Sequence, residues 1–194
     1  MRIILASRSP ARRALMKELD IPFECHTSDY EEDMRAFKTP KALAQFLALG
    51  KATFIAHQYP DSIIIGADTF VTINDQKIGK PENIEDAKKI LKKKSNSKVL
   101  VHSGVAVIQT DKKGEITKKV TEHVITTLHF GKITDEDIQE ILKEDDVLSV
   151  AGALTIEGAA GKFVKTIEGD YHNVIGLPLF QLKEMLKKFG LKLN

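Results

Sequence analysis

Four short stretches of this chain carry residue types that could do chemistry. The first is Ser7-Arg8-Ser9-Pro10-Ala11-Arg12-Arg13. Ser9 suits a helix N-cap and Pro10 the first helical position. Arg12 and Arg13 then fall in the first turn, where exposed N–H groups already carry partial positive charge and each added cation costs roughly 0.3–1 kcal/mol. A bound anion removes that cost, and phosphate suits a helix N-terminus. Two readings stand. One is a solvated basic turn. The other is a phosphate clamp of Ser7, Arg12 and Arg13, with the arginines as planar forks.

The second stretch is Gly66-Ala67-Asp68-Thr69. An acid at the end of a buried strand is held rigidly and suits a catalytic carboxylate; the other reading is a bulge with Asp68 as a turn residue. The third is Gly79-Lys80-Pro81. A hairpin through Asn74–Gln76 would return Lys80 beside Asp68, where an ammonium binds phosphate oxygens and favours an ionised acid; otherwise Lys80 is an exposed lysine before a proline turn. The fourth is the acidic run Asp29, Glu31, Glu32 and Asp33. It is either a solvated loop or, together with Asp68, a source of oxygens for Mg²⁺, which takes few protein ligands.

The elements that must position these residues alternate between strand and helix. Arg2–Ala6 reads as a strand, Pro10–Leu19 as a helix and Phe23–Ser28 as extended chain. Thr39 caps and Pro40 opens a second helix bearing Leu43, Phe46, Leu47 and Leu49, with Lys51 toward its C-terminal half. Ser62–Ala67 suits a buried strand leading into Asp68 and then Phe70–Ile73. Asn83 caps a helix to Lys93. Val99–Gln109 and Val120–Phe130 form a hairpin through Asp111–Gly114. Thr134 and Asp137 resemble a capping box opening a helix to Lys143. Ala151–Gly176 is glycine-rich and reads as tight turns. Pro178 opens a last helix to Lys188. The expected architecture is α/β, one domain over 1–194 with two lobes.

Composition narrows the function classes. A net charge of +2 is too small for nucleic-acid binding by bulk electrostatics, so phosphate recognition must be local. No apolar run approaches the roughly 20 residues that cross a bilayer. Cys25 is the only cysteine, which excludes an internal disulfide and a cysteine zinc site. Arg2, Arg8, Arg12 and Arg13 precede any acid, as in a transit peptide, but Pro10 would break a presequence helix; the cytoplasm is the expected compartment. No P-loop, dinucleotide fingerprint or nucleophile elbow occurs.

Taken in order, these segments resemble the Maf family of nucleoside triphosphate pyrophosphatases over nearly the whole chain. The matching stretches are Leu5–Arg13, Glu31-Glu32, Lys51-Ala52, Gly66–Thr69, Lys80-Pro81 and Ala151–Gly158. Gly169-Asp170-Tyr171 and Val174–Leu179 complete the pattern. The resemblance implies a twisted mixed sheet flanked by helices, with a cleft between two lobes, as in the related inosine triphosphatases. It implies hydrolysis of a nucleotide substrate to the monophosphate and pyrophosphate, a divalent cation (Mg or Mn), links to cell-division arrest and nucleotide house-cleaning, and compatibility with a homodimer. Asp68 matches the family's proton acceptor. Glu32 would help hold metal or water, and Ser7 would bond a phosphate oxygen. Arg12, Arg13, Lys51 and Lys80 would neutralise phosphate charge. Two alternatives come from other readings: a nucleotide-binding regulator of division with little catalysis, and an inosine or xanthosine triphosphatase.

Three positions bear on the base. Relatives preferring dTTP and UTP usually carry Arg where this chain has Ala11 and Gln where it has Glu157, while Thr69 fits that branch. Glu157 is typical of the branch preferring 7-methyl-GTP. A carboxylate accepts hydrogen bonds only, so Glu157 tilts the expectation toward 7-methyl-GTP-like or amino-bearing bases.

Overall fold

The computed structural model describes residues 1–193. Strand β1 (Arg2–Ala6) leads into helix α1 (Pro10–Lys17), followed by β2 (Glu24–His26) and α2 (Pro40–Ala56). Next come β3 (Ser62–Ile73), β4 (Gln76–Ile78), α3 (Ile84–Lys94), β5 (Lys98–Thr110) and β6 (Ile116–Phe130). The chain closes with α4 (Asp135–Glu144), β7 (Val164–Glu168), α5 (Tyr171–Ile175) and α6 (Leu179–Lys187). Among the described residues, seven strands form one mixed sheet in the order β2-β1-β3-β5-β6-β7, with β4 paired to β3. β1 runs parallel to β2 and β3; β4 and β7 run antiparallel to β3 and β6. None of the described helices is long and apolar enough to cross a membrane.

The helix starts follow the side chains that cap them. Ser9 accepts from the Arg12 amide, Thr39 from Ala42 and Asn83 from Asp86, and Thr134 with Asp137 closes a capping box. Several limits differ from the sequence expectation. α1 stops at Lys17 rather than Leu19, because the chain turns through Asp20 at φ 50. β6 begins at Ile116 instead of Val120. The glycine-rich stretch 151–176 holds two short 3₁₀ turns, β7 and α5 besides turns. β3 runs unbroken through Gly66–Thr69, so Asp68 is not at its end. The strand is buried along nearly all of its length and needs no bulge there.

By its internal contacts the chain forms two units. The first comprises Met1–Asp68, Ser103–Val124 and the chain from Gly176. Here α2 lies on β1, β3 and β5 through Ala48, Ala52, Ile55 and Ala56 against Ile4, Ile64, Ala106 and Ile108. The approach is close because the sheet lacks side chains beneath the helix. A Cβ on Gly66 would lie 2.3 Å from the Ala48 carbonyl oxygen, and one on Gly104 1.9 Å from that of Ala44. The second unit comprises Thr69–His102 and Ile125–Ile175. Its core gathers Ile90, Leu91, Val101, Phe130, Ile138 and Ile141 with their neighbours from α3, α4, β5 and β6.

One charged group sits inside that second core. Lys94 is fully buried, its Nζ has no hydrogen-bond partner among the described residues, and it stands 5.6 Å from the centre of the Phe130 ring. Burial pushes its pKa down to about 7, against an opposing pull from the negative charge of Asp145. Because the folded value lies below the unfolded one, the unfolded chain binds more protons between about pH 7 and the ordinary lysine range. Stability therefore rises with pH across that window, and below it the full cost is present. The rise from pH 7 to pH 9.5 is expected to be on the order of 2–3 kcal/mol in urea unfolding. Lys94→Met should abolish it and raise stability at pH 7. An unaltered pH dependence in the variant would contradict the assignment.

Candidate active site

β1 pairs with β3 only as far as Ala6 opposite Gly66. There the β1 chain leaves the sheet toward α1, while β3 continues. Asp68 lies two residues beyond the last pairing and shares a strand face with Gly66. That face meets α2, so the close packing at Gly66 brings Lys51 of α2 down to Asp68. The Lys51 ammonium donates to Asp68 Oδ1 at 2.5 Å and reaches Glu32 Oε1 at 2.8 Å. The Lys51 and Asp68 side chains are 13% and 8% exposed, that of Glu32 42%. One cation therefore holds two carboxylates, one interior and one at the surface.

Glu32 comes from the loop between β2 and α2. Its neighbour Tyr30 lays its ring on the helix at Gly50, where a Cβ would lie 2.3 Å from Cζ. Phe37 packs on Phe46 of α2 with ring centres 5.1 Å apart. Sequence reading overlooked Tyr30. The available signal was Gly50 itself, since a glycine in a helix interior costs about 1 kcal/mol relative to alanine and marks a close approach. Glu31 is exposed, and Asp29 makes only a 4.0 Å surface pair with Arg8.

At the start of α1, Ser7 is buried and its Oγ accepts from the Ser9 amide at 3.1 Å. The hydroxyl thus shapes the turn by accepting, and its proton is the part it can offer a ligand. Arg12 is half-buried, and its Nε donates to the Gly176 carbonyl at 2.8 Å. Burial pushes the guanidinium pKa down, while the charges of Asp68 and Glu32 oppose this. Arg13 points elsewhere, because consecutive helical residues diverge by about 100°. It is exposed and lines a hollow with Lys17, Phe23 and Cys25. Ala11 is exposed on the same turn.

Lys80, Thr69 and Glu157 belong to the second unit. Asn74 and Asp75, at φ 48 and 61, make the turn from β3 to β4. Val71 then stands opposite Ile78, Thr72 opposite Lys77 and Ile73 opposite Gln76. The turn and the β3–β4 pairing are present, and Lys80 follows two residues after the last paired residue, Ile78. Lys80 is exposed, and the Gly79 carbonyl before it accepts from the Gly152 amide at 2.8 Å. This bond ties two motifs that sit far apart in the chain. Glu157 is exposed in a turn closed by the Gly158 amide on the Thr155 carbonyl. The segment Gly169-Asp170-Tyr171 has an architectural job. Asp170 accepts from the His172 and Asn173 amides, and buried Asn173 donates to the Val101 carbonyl and Thr126.

Fold and site define an α/β protein with a lysine held between two carboxylates just beyond the C-terminal end of β1, beside a helix start bearing a pinned arginine. Residues 2–189 match the family model described as Maf-like protein, and the chain belongs to that family. It is 38% identical over 190 residues to the dTTP/UTP pyrophosphatase of Bacillus cereus (strain G9842), covering 98% of this chain and 96% of the relative. The dTTP/UTP pyrophosphatase of Bacillus anthracis (strain CDC 684 / NRRL 3495) shows the same identity and coverage. In fold, the chain is similar to a HAM1 protein from Coxiella burnetii, with a TM-score of 0.51 at 14% identity over 97% of this chain and 99% of that one.

Proposed function

We propose that this chain hydrolyses nucleoside triphosphates to the monophosphate and pyrophosphate. The observation that carries the reading is the Lys51 ammonium between Asp68 and Glu32, with Arg12 pinned nearby in the same unit. Water attacks the α-phosphorus, a new P–O bond forms, and the bond to the bridging oxygen breaks. The electron pair leaves with pyrophosphate, and Asp68 takes the water proton. Lys51 orients the Asp68 carboxylate through its short hydrogen bond. Arg12 and Lys51 neutralise phosphate oxygens, and the Ser7 hydroxyl donates to one of them. Glu32 holds the second side of the lysine and orients water.

A divalent cation fits the donor set. Glu32 and Asp68 both contact Lys51 Nζ, so the two carboxylates lie within reach of a shared cation. Mg²⁺ needs only one or two carboxylates when substrate phosphates complete its shell. Glu32 and Asp68 would hold it, and when bound it would neutralise charge on the phosphate oxygens.

The names of the relatives favour dTTP and UTP as substrates, with Thr69 in agreement. Glu157 favours a base that presents donors, such as 7-methyl-GTP. The deciding experiment is a hydrolysis screen over dTTP, UTP, CTP, ITP, XTP and 7-methyl-GTP with Mg²⁺ or Mn²⁺ and product identification. Monophosphate plus pyrophosphate is the expected product pair. Stepwise release of inorganic phosphate would overturn the reaction, and tight binding without repeated turnover would favour a nucleotide-binding regulator instead.

A further inference from the structure

We propose that Asp145 is a positioning residue for base selection, its carboxylate fastening the turn that presents Glu157. This rests on the reading of Glu157 as a residue facing the base. Asp145 directly follows α4, and its own amide donates to the Ile141 carbonyl at 2.9 Å, so the carboxylate starts from a fixed point. Its two oxygens then divide between successive amides: Oδ1 accepts from Ala159 at 2.9 Å and Oδ2 from Ala160 at 3.0 Å. Such charge-assisted bonds are roughly twice as strong as neutral ones. Gly158 lets the carboxylate in, since a Cβ there would lie 2.1 Å from Oδ1.

The residues on either side of this anchor show what it holds. Ala159 and Ala160 are buried, whereas Glu157 is exposed at the third position of the turn from Thr155 to Gly158. The turn therefore has one end clamped to α4 and its acidic side chain free to meet a ligand. Selecting among bases requires that acceptor to be held still, because a side chain that can move adapts to several hydrogen-bonding edges. Asp145 supplies the rigidity without touching the substrate.

The test compares Asp145→Asn, Glu157→Gln and the double variant, using kcat/KM for dTTP and for 7-methyl-GTP. Amide hydrogen exchange at Ala159 and Ala160 serves as a readout that needs no turnover. Asp145→Asn turns one acceptor into a donor facing an amide. It should move the ratio of the two kcat/KM values by about 3- to 10-fold, mainly through KM, and add little once Glu157 is already replaced. A general loss of stability would scale both substrates alike. Asp145→Glu keeps the charge but lengthens the arm, so it should shift the ratio even if Asp145→Asn does not fold. A ratio that moves with Glu157→Gln but with neither Asp145 variant overturns the role of Asp145. A ratio indifferent to Glu157→Gln overturns the reading of Glu157. Unchanged amide protection at Ala159 and Ala160 in an Asp145 variant would overturn the fastening itself.

Discussion

Asp68→Asn is expected to leave the protein folded and to lower kcat for pyrophosphate release by about 10²- to 10⁴-fold, the usual share of a positioned general base. The amide is nearly the same size as the carboxylate, and its oxygen can still accept from Lys51. It cannot take a proton from the attacking water at neutral pH. The Lys51 ammonium keeps its second partner, Glu32, so no cation is stranded by the change. Circular dichroism and the urea midpoint should therefore remain near those of the wild type while turnover collapses. A variant that turns over at the wild-type rate would remove Asp68 from the role of base. One that fails to fold would show the carboxylate to be mainly structural.

Lys51→Met should have the opposite balance, with stability suffering along with activity. It removes the cation from a pair whose side chains are only 13% and 8% exposed, and the remaining Asp68 charge has little water to turn to. Removing one partner of a buried pair costs about 3–5 kcal/mol, because the other is left uncompensated. The expected loss lies toward the lower end, since Glu32 is already 42% exposed and can rotate into solvent. The same reasoning makes the effects of Lys51→Met and Asp68→Asn strongly non-additive. The double variant should regain most of the stability that Lys51→Met loses, as no charge is then stranded at the strand. Urea unfolding of the four proteins closes this cycle. Equal midpoints for Lys51→Met and the wild type would mean that the pair contributes nothing.

Much of the architecture was legible along the chain because it is written in local chemistry. Ser9-Pro10, Thr39-Pro40, Asn83 and Thr134 with Asp137 each place a hydrogen-bond acceptor where a helix leaves amides unpaired, and each opens a helix in the structure. The turn into β4 needed two residues at positive φ, and Asn74-Asp75 supplies them. The order of short motifs, from Leu5–Arg13 to Val174–Leu179, carries the family resemblance.

Side-chain direction and long-range contacts were less legible, for a common reason. Arg12 and Arg13 look equivalent as neighbours in sequence, yet the helical twist sends one toward the Gly176 carbonyl and the other toward Phe23 and Cys25. Lys94 reads as one of three surface lysines ending a helix, but its position over Phe130 buries it. Asp145 reads as one acid among several, and nothing local says that it clasps two amides some fifteen residues on.

By itself, then, the sequence determined where helices and turns begin, which family the chain resembles, and that Asp68, Lys51 and Glu32 are the residues to watch. The helix and turn starts follow from backbone chemistry that acts over a few residues, whereas Lys51 stood out only through the family resemblance. Only the tertiary structure decided that one ammonium joins both carboxylates, because that depends on how closely α2 can lie on the sheet. The approach is set by the missing side chains at Gly66 and Gly104 meeting the alanine face of the helix. Contacts of that kind join residues distant in the chain, and no pattern of spacing records them.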